Sequence, residues 1–201
     1  MSSEAEKQVL GLQLPTDPRW ANLAEKSLEE ILTDHAYCEQ KAASSCISLI
    51  IQFPDMEGIV ETLTPIVQEE WTHFEKVVSE LRKRGYSLGR QRKDEYVNNI
   101  HKIMLKGGSR EQQLVEKLLI NGLIEARSCE RFRQLWKFFT DESLSAFYYD
   151  LVVSEAGHYK TFLALATRFM PKDYVEKRWR EILTLEAEII KNIEVRGDRM
   201  H

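Results

Sequence analysis

Residues 70–73 read EWTH and residues 155–158 read EAGH, so the motif Glu-x-x-His occurs twice in this chain of 201 residues. A solitary glutamate precedes each motif, Glu39 by 31 residues and Glu125 by 30 residues. Because positions three apart on an α-helix lie on one face, the glutamate and the histidine of each motif can reach the same point. The repeated pattern therefore predicts two related helical hairpins.

The residues around both motifs place them on apolar helix faces. Ile66 and Val77 flank the first motif, and Leu151 and Phe162 flank the second. Carboxylates on an apolar face are costly to bury unless they are paired or bind a metal. Carboxylate and imidazole donors at this spacing are the ligand set of dinuclear iron or manganese sites in four-helix bundles. The predicted metal ligands, through which catalysis would also run, are Glu39, Glu70, His73, Glu125, Glu155 and His158.

Turn signals occur between the two glutamates of each half, FPDMEG at 53–58 and TDES at 140–143. In both halves the solitary glutamate and the motif glutamate lie at similar distances from the intervening turn. At a rise of about 1.5 Å per residue, the two carboxylates of each hairpin are level to within about one helical turn. The spacing therefore predicts that each hairpin brings its three donors together.

Several neighbouring residues compete for these roles. Glu130 is an alternative to Glu125, but its spacing to Glu155 breaks the match with the first half. His35 lies one turn before Glu39, and we expect it to support the pocket rather than to bind metal directly. The alternative to a metal site is a plain helical bundle in which the same Glu and His side chains are exposed to solvent.

The composition indicates a single domain, 1–201, with 43% hydrophobic residues and enough chain for a full core. The net charge of −4 gives no general attraction to nucleic acid. Three cysteines without a CxxC pair argue against a disulfide framework, so we expect buried, inert thiols in a reducing cytoplasm. No segment resembles a signal peptide or a bilayer-spanning helix. We expect a cytoplasmic monomer that does not interact with membranes.

The hydrophobic periodicity predicts an all-α fold, a four-helix bundle with a long crossover and an additional C-terminal helix. Gly85 marks the end of the second helix, because glycine is a favoured residue after a helix C-terminus. An extended arm is predicted over 1–18. The predicted helices are 20–53, 57–84, about 94–106 within a crossover at 85–109, 110–139, 142–170 and 173–195.

A cationic segment at 82–93 reads RKRGYSLGRQRK and contains no acidic residue. It can be a solvated helix C-terminus, where the macrodipole favours cations. It can equally contact RNA phosphates, with its tyrosine stacked on a base. The RNA-binding hypothesis names Arg82, Lys83, Arg84, Tyr86, Arg90, Arg92 and Lys93. A second cationic stretch begins the last predicted helix, with Lys172, Lys177, Arg178 and Arg180.

Three further stretches accompany the two motifs: LQLPTDPRW at 12–20, LIEARSCERF at 123–132 and SEAGHYKTFLAL at 154–165. With these residues the chain resembles the bacterial tRNA 2-methylthio-isopentenyladenosine hydroxylases, a ferritin-like diiron family. The resemblance implies two iron ions, dioxygen as co-substrate and electrons from a ferredoxin or a flavoprotein reductase. It also implies hydroxylation of the isopentenyl side chain of an adenosine beside the anticodon, with the tRNA anticodon loop as partner.

Two other functions remain compatible with the same residues. A ferritin-like diiron or dimanganese protein can act as a ferroxidase, a peroxidase or a catalase without an RNA substrate, because fold does not determine function. A metal-free interaction bundle would bind no metal at all. Hydroxylation of a modified nucleoside would distinguish the tRNA hydroxylase from both of these alternatives.

Overall fold

Residues 11–201, which the computed structural model describes, form seven α-helices and contain no strand. The first ten residues of the predicted arm lie outside this range, and residues 11–18 are not helical. In chain order the helices are α1 Trp20–Lys26, α2 Leu28–Gln52, α3 Ile59–Lys83, α4 Glu95–Ile103, α5 Arg110–Phe138, α6 Glu142–Phe169 and α7 Lys172–Asn192.

The chain divides into two compact units. The first unit comprises Arg19–Asp94 and Val195–Met200, and the second unit comprises Glu95–Glu194, His201 and the described residues up to Pro18. The first unit therefore contains α1 to α3, and the second contains α4 to α7. A single domain over the whole chain stays a prediction.

The first long predicted helix is interrupted, and the prediction of one continuous helix over 20–53 is wrong. Ser27 adopts φ −124° and ψ 43°, which lies outside the helical region, so α1 ends before α2 begins. The buried Trp20 anchors α1, because its Nε1 donates to the carbonyl of Arg199 at 3.1 Å. The backbone amide of Met200 donates to the Asp34 carboxylate at 2.7 Å, which fixes the same tail beside α2.

Helices α2 and α3 pack against each other as a hairpin. Gly58, with φ 81°, precedes α3 in a left-handed conformation that glycine adopts at little cost. The buried positions of α3 recur three and four residues apart, which is the spacing of a single helix face. This stripe contains Leu63, Ile66, Glu70, His73 and Val77.

Helices α5 and α6 form the corresponding hairpin of the second unit, and α4 and α7 pack on it. Ser109 caps α5 in a capping box with Gln112, and the Asp141 carboxylate caps α6 by accepting from the amide of Leu144 at 3.1 Å. The buried stripe of α6 again has the spacing of one helix face. It contains Leu144, Tyr148, Leu151, Glu155, His158, Phe162 and Leu165.

Candidate metal centre

The first unit brings together Glu39, Glu70 and His73, here named the first cluster. Each of these residues offers a ligand atom, and the three atoms lie within 4.8 Å of one another. The His73 Nδ1 atom is 3.5 Å from Glu39 Oε2 and 3.5 Å from Glu70 Oε2. All three residues are buried, and Glu70 is 0% exposed. The hairpin of α2 and α3 thus presents two carboxylates and one imidazole at a common point in its core.

The second unit brings together Glu125, Glu155 and His158, here named the second cluster. Their ligand atoms also lie within 4.8 Å of one another. The His158 Nδ1 atom is 3.5 Å from Glu155 Oε2, the same separation as between His73 and Glu70. All three residues are buried, and Glu155 is 1% exposed. The hairpin of α5 and α6 therefore repeats the donor set of the first unit.

The donor chemistry of both clusters fits a divalent transition metal. A nitrogen and an oxygen that share one ion through bonds of about 2.1 Å lie roughly 3.0–3.5 Å apart, which is the range of the three separations above. Carboxylate oxygen and imidazole nitrogen suit iron and manganese, whereas thiolates would favour softer ions. Each cluster therefore has the residues to hold one metal ion.

Neither Cys38 nor Cys129 belongs to the first or the second cluster. Burial, with the Glu155 carboxylate as the next cause, raises the pKa of the Cys129 thiol to about 12. The Cys129 Sγ atom donates to the carbonyl of Val152 at 3.4 Å. Burial also raises the pKa of Cys38 well above its usual value. Burial therefore favours the protonated form of both thiols, which is a poor nucleophile.

Glu130, the alternative to Glu125, is engaged elsewhere in the second unit. Its carboxylate accepts from the backbone amide of Thr16 at 3.1 Å and from Arg127 Nη1 at 3.1 Å. Arg127 also donates to the carbonyl of Leu14 at 2.9 Å. Glu130 thus helps to fasten residues 11–18 to α5, and it is absent from the second cluster.

Sequence reasoning missed the buried ion pair between Arg127 and Glu186. Arg127 Nη2 lies 2.7 Å from Glu186 Oε1, and both side chains are 0% exposed. Sequence spacing gives no signal for this pair, because its members lie on α5 and α7. The only available signal was the pair of arginines, Arg127 and Arg131, within the LIEARSCERF stretch of a predicted bundle helix.

The cationic segment at 82–93 separates into two groups. Lys83 and Arg84 both pair with Glu80, and Arg92 Nη1 lies 3.1 Å from Asp198 Oδ2. The other three cations are exposed, and within residues 11–201 no ion pair involves them: Arg82, Arg90 and Lys93. Tyr86 is half-buried.

The second cationic stretch is smaller than the sequence suggests. Arg178 is 5% exposed, so it does not belong to a surface patch. Its Nε atom donates to Glu116 Oε2 at 3.0 Å, and its Nη2 atom donates to the carbonyl of Ile103 at 2.9 Å. Arg178 therefore joins α7 to α5 and to the end of α4.

None of the helices in the described part of the chain is both long enough and apolar enough to cross a membrane.

The chain is similar to known proteins over nearly its whole length. Residues 4–201 match the family tRNA-(MS²IO⁶A)-hydroxylase (MiaE). The tRNA 2-(methylsulfanyl)-N(6)-isopentenyladenosine(37) hydroxylase of Pseudomonas putida is 32% identical over 90% of this chain and 87% of that protein. The protein of the same name from Salmonella typhimurium is 27% identical over 89% of this chain and 83% of that protein. The predicted family resemblance is confirmed.

A solved structure shares the fold. It is described as Protein 43 with aldehyde deformylating oxygenase activity from Synechococcus, and it is 31% identical to this chain. The TM-score is 0.89, and the match covers 94% of each chain. The predicted fold is thereby confirmed as an all-α, ferritin-like four-helix bundle with a long crossover and an additional C-terminal helix.

Proposed function

Because this chain belongs to the tRNA-(MS²IO⁶A)-hydroxylase family, we propose that it hydroxylates the isopentenyl side chain of 2-methylthio-isopentenyladenosine in tRNA, using two iron ions and dioxygen. The observation that carries this proposal is the pair of buried Glu, Glu and His clusters in a chain that matches the family over residues 4–201. The reaction inserts one oxygen atom into a carbon–hydrogen bond. The second oxygen atom leaves as water, which requires two electrons and two protons.

The metal ligands would be Glu39, Glu70 and His73 for one ion and Glu125, Glu155 and His158 for the other. When bound, two iron ions supply the dioxygen activation that breaking a carbon–hydrogen bond of an allylic methyl group requires. Four ionised carboxylates balance the charge of two divalent ions, so the loaded clusters carry no net charge into the protein interior. This balance supports burial, because an uncompensated buried charge is costly.

The apolar side chains on the buried helix stripes would surround the substrate rather than bind the metal. Leu63 and Ile66 in the first unit and Leu151 and Phe162 in the second unit are buried in the same helix stripes as the motif ligands. Side chains of this kind exclude water from a reactive centre and offer a favourable environment to an isopentenyl group. The electrons would come from an external ferredoxin or reductase, since the chain has no CxxC pair that could hold a rubredoxin-type iron.

We assign the tRNA contact to the cationic segment. The exposed side chains of Arg82, Arg90 and Lys93 would contact phosphates, and Tyr86 would stack on a base. The three cations that already form ion pairs in the first unit, Lys83, Arg84 and Arg92, would shape the segment. The modified adenosine must leave the anticodon stack to reach a buried centre, at a cost of a few kcal/mol that is smallest in a single-stranded loop.

The test is turnover of the defined substrate. The protein is reconstituted anaerobically with iron, supplied with a reductant and tRNA that carries 2-methylthio-isopentenyladenosine, and then exposed to dioxygen. We expect a nucleoside product 16 mass units heavier (about the mass of one oxygen atom) by mass spectrometry of the digested tRNA. The Glu70→Ala variant should give no product, and Glu69→Ala should retain activity because Glu69 is exposed. Absence of product from the unaltered, iron-loaded protein would contradict the proposal.

The solved structure suggests a second candidate function, the deformylation of an aldehyde. Its 31% identity to this chain is similar to that of the Pseudomonas putida hydroxylase, at 32%. The same iron-loaded preparation is therefore offered a long-chain aldehyde in place of tRNA. Formation of the shortened hydrocarbon without any nucleoside product would favour this second function.

A further inference from the structure

The His35 imidazole is a buried group beside the first cluster that the six-ligand set does not use. His35 is 0% exposed and lies one helical turn before Glu39 on α2. Its Nε2 atom is 2.6 Å from Glu39 Oε1. A glutamate that binds a metal is ionised and only accepts hydrogen bonds, so in that state the hydrogen on Nε2 is donated to Glu39.

The two oxygens of Glu39 consequently face different partners. Oε1 accepts from His35, whereas Oε2 lies 3.5 Å from His73 Nδ1 on the side of the first cluster. A glutamate without such a contact can rotate about its terminal bond and offer either one or both oxygens to a metal. With Oε1 held by His35, Oε2 is the oxygen that Glu39 presents to the first cluster.

We propose that His35 is a positioning residue that holds Glu39 in one-oxygen ligation of the metal ion in the first cluster. This inference rests on the proposed metal centre and adds to it a residue outside the six ligands. Partners of this kind orient the residues that bind a metal, and their loss weakens metal binding by about 10- to 100-fold.

The corresponding position in the second unit is occupied differently. Four residues before Glu125 the chain has Asn121, whose Nδ2 atom donates to the carbonyl of Lys117 at 2.8 Å. An amide that donates to the backbone of its own helix stands where the first unit has an imidazole that donates to the ligand. The residue types at these two equivalent positions differ, so the inference about His35 concerns the first cluster.

Two amide variants of His35 test the inference. In His35→Gln the amide nitrogen reaches about as far as the imidazole Nε2, whereas in His35→Asn the side chain is one methylene shorter and falls short of Glu39. Cobalt(II) is titrated anaerobically into the full-length protein, and its visible absorption reports affinity and ligand geometry. We expect His35→Asn to raise the Kd of one cobalt ion about 10- to 100-fold and to change its absorption, while His35→Gln retains both properties.

A purely structural role for His35 gives different results. In that case His35→Asn would lower the free energy of unfolding of the metal-free protein and would leave the cobalt spectrum of the folded fraction unchanged. A purely structural role would also let His35→Asn change cobalt binding by the same factor when Glu39 is replaced by alanine. If His35 acts through Glu39, His35→Asn has no further effect on cobalt binding in the Glu39→Ala variant. Unaltered cobalt affinity and absorption in a folded His35→Asn variant would overturn the proposal.

The unaltered protein supplies a measurement that does not depend on how the variants fold. With two zinc ions bound and histidines labelled with ¹⁵N, we expect His35 to keep its hydrogen on Nε2, in a hydrogen bond. Loss of that hydrogen on zinc binding would make His35 a ligand itself and would overturn the positioning role.

The outcomes separate this inference from the proposed function. A protein that binds two cobalt ions with the expected His35 dependence but never hydroxylates tRNA contradicts only the proposed function. A protein that hydroxylates tRNA while His35→Asn binds cobalt normally contradicts only the role of His35.

Discussion

The first and second clusters share one ligand geometry but lie in different surroundings. In each, the histidine Nδ1 is 3.5 Å from Oε2 of the glutamate three residues earlier. Four residues before the solitary glutamate, however, the first unit has His35 and the second has Asn121. The repeated spacing fixes the donors, because helix geometry leaves little choice. Helix geometry does not constrain the residues around the ligands in this way, so these residues differ between the two units.

A second difference lies two residues after the solitary glutamate. The first unit has Lys41, whose ammonium pairs with Asp94 and whose side chain is 31% exposed. The second unit has Arg127, which is 0% exposed and pairs with Glu186. A partly exposed ion pair contributes little to stability, whereas one member of a buried pair cannot be removed without leaving a buried charge. Side chains at equivalent positions in the two units therefore contribute unequally to the stability of the protein.

Replacing a motif glutamate should have the largest consequence, and the same one in both halves. Glu70→Gln and Glu155→Gln keep the shape of the side chain but remove a charged ligand from a buried cluster. We expect neither variant to hydroxylate tRNA under conditions in which Glu69→Gln is active, as measured by mass spectrometry of the nucleosides. Full activity in either variant would show that the two clusters do not act together.

Replacing Arg127 and replacing Lys41 should lower the free energy of unfolding by unequal amounts. Arg127→Met leaves the buried Glu186 carboxylate without its cation, at a cost of about 3–5 kcal/mol in the free energy of unfolding. Lys41→Met should cost at most about 1 kcal/mol. Urea unfolding of the metal-free variants measures both values. Equal losses would contradict the comparison. An Arg127→Met/Glu186→Leu variant should recover the part of the loss that is due to Glu186, because Glu130 and the Leu14 carbonyl still lack Arg127 as a donor.

The cationic segment follows the hairpin of the first unit, whereas the cationic stretch that follows the hairpin of the second unit has its Arg178 buried. Replacing Arg82, Arg90 and Lys93 together by glutamine should weaken tRNA binding and reduce the slope of log Kd against log salt by about 3. A matched glutamine variant at the three already paired cations, Lys83, Arg84 and Arg92, should change the slope less. Fluorescence anisotropy over a salt series gives both slopes, and an unchanged slope in the first variant would remove the segment from the RNA interface.

The smallest effect is expected at Gly157, which lies between the two motif residues of the second cluster where the first has Thr72. A Cβ atom at Gly157 meets nothing within 4 Å. Gly157→Ala should therefore raise the free energy of unfolding by about 0.5–1 kcal/mol, because alanine favours the helix. Gly197→Ala should do the opposite, since its Cβ would lie 2.2 Å from the carbonyl oxygen of Leu23. Thermal unfolding ranks the two, and a destabilised Gly157→Ala variant would contradict the prediction.

The sequence was sufficient for features that depend on local periodicity. Glu70 and His73 share a buried stripe with Leu63, Ile66 and Val77, as their spacing predicts. The ends of α5 and α6 follow from the capping residues Ser109 and Asp141. These features are predictable because each depends on residues within a few positions of one another.

Features that depend on distant partners were not predictable. The break at Ser27 goes with the anchoring of Trp20 to the backbone of Arg199, 179 residues away. Arg178, read from the sequence as part of a surface patch, is buried by its pairing with Glu116. Neither partner can be identified from sequence spacing, because the geometry that joins them arises only after the helices pack.

An anaerobic iron titration of the unaltered protein, followed by measurement of bound iron per chain, tests the metal centre most directly. We expect binding to saturate at two iron ions per chain and to fall in the His73→Ala and His158→Ala variants. Saturation below two ions, or unchanged binding in both variants, would show that the two buried clusters do not hold the metal.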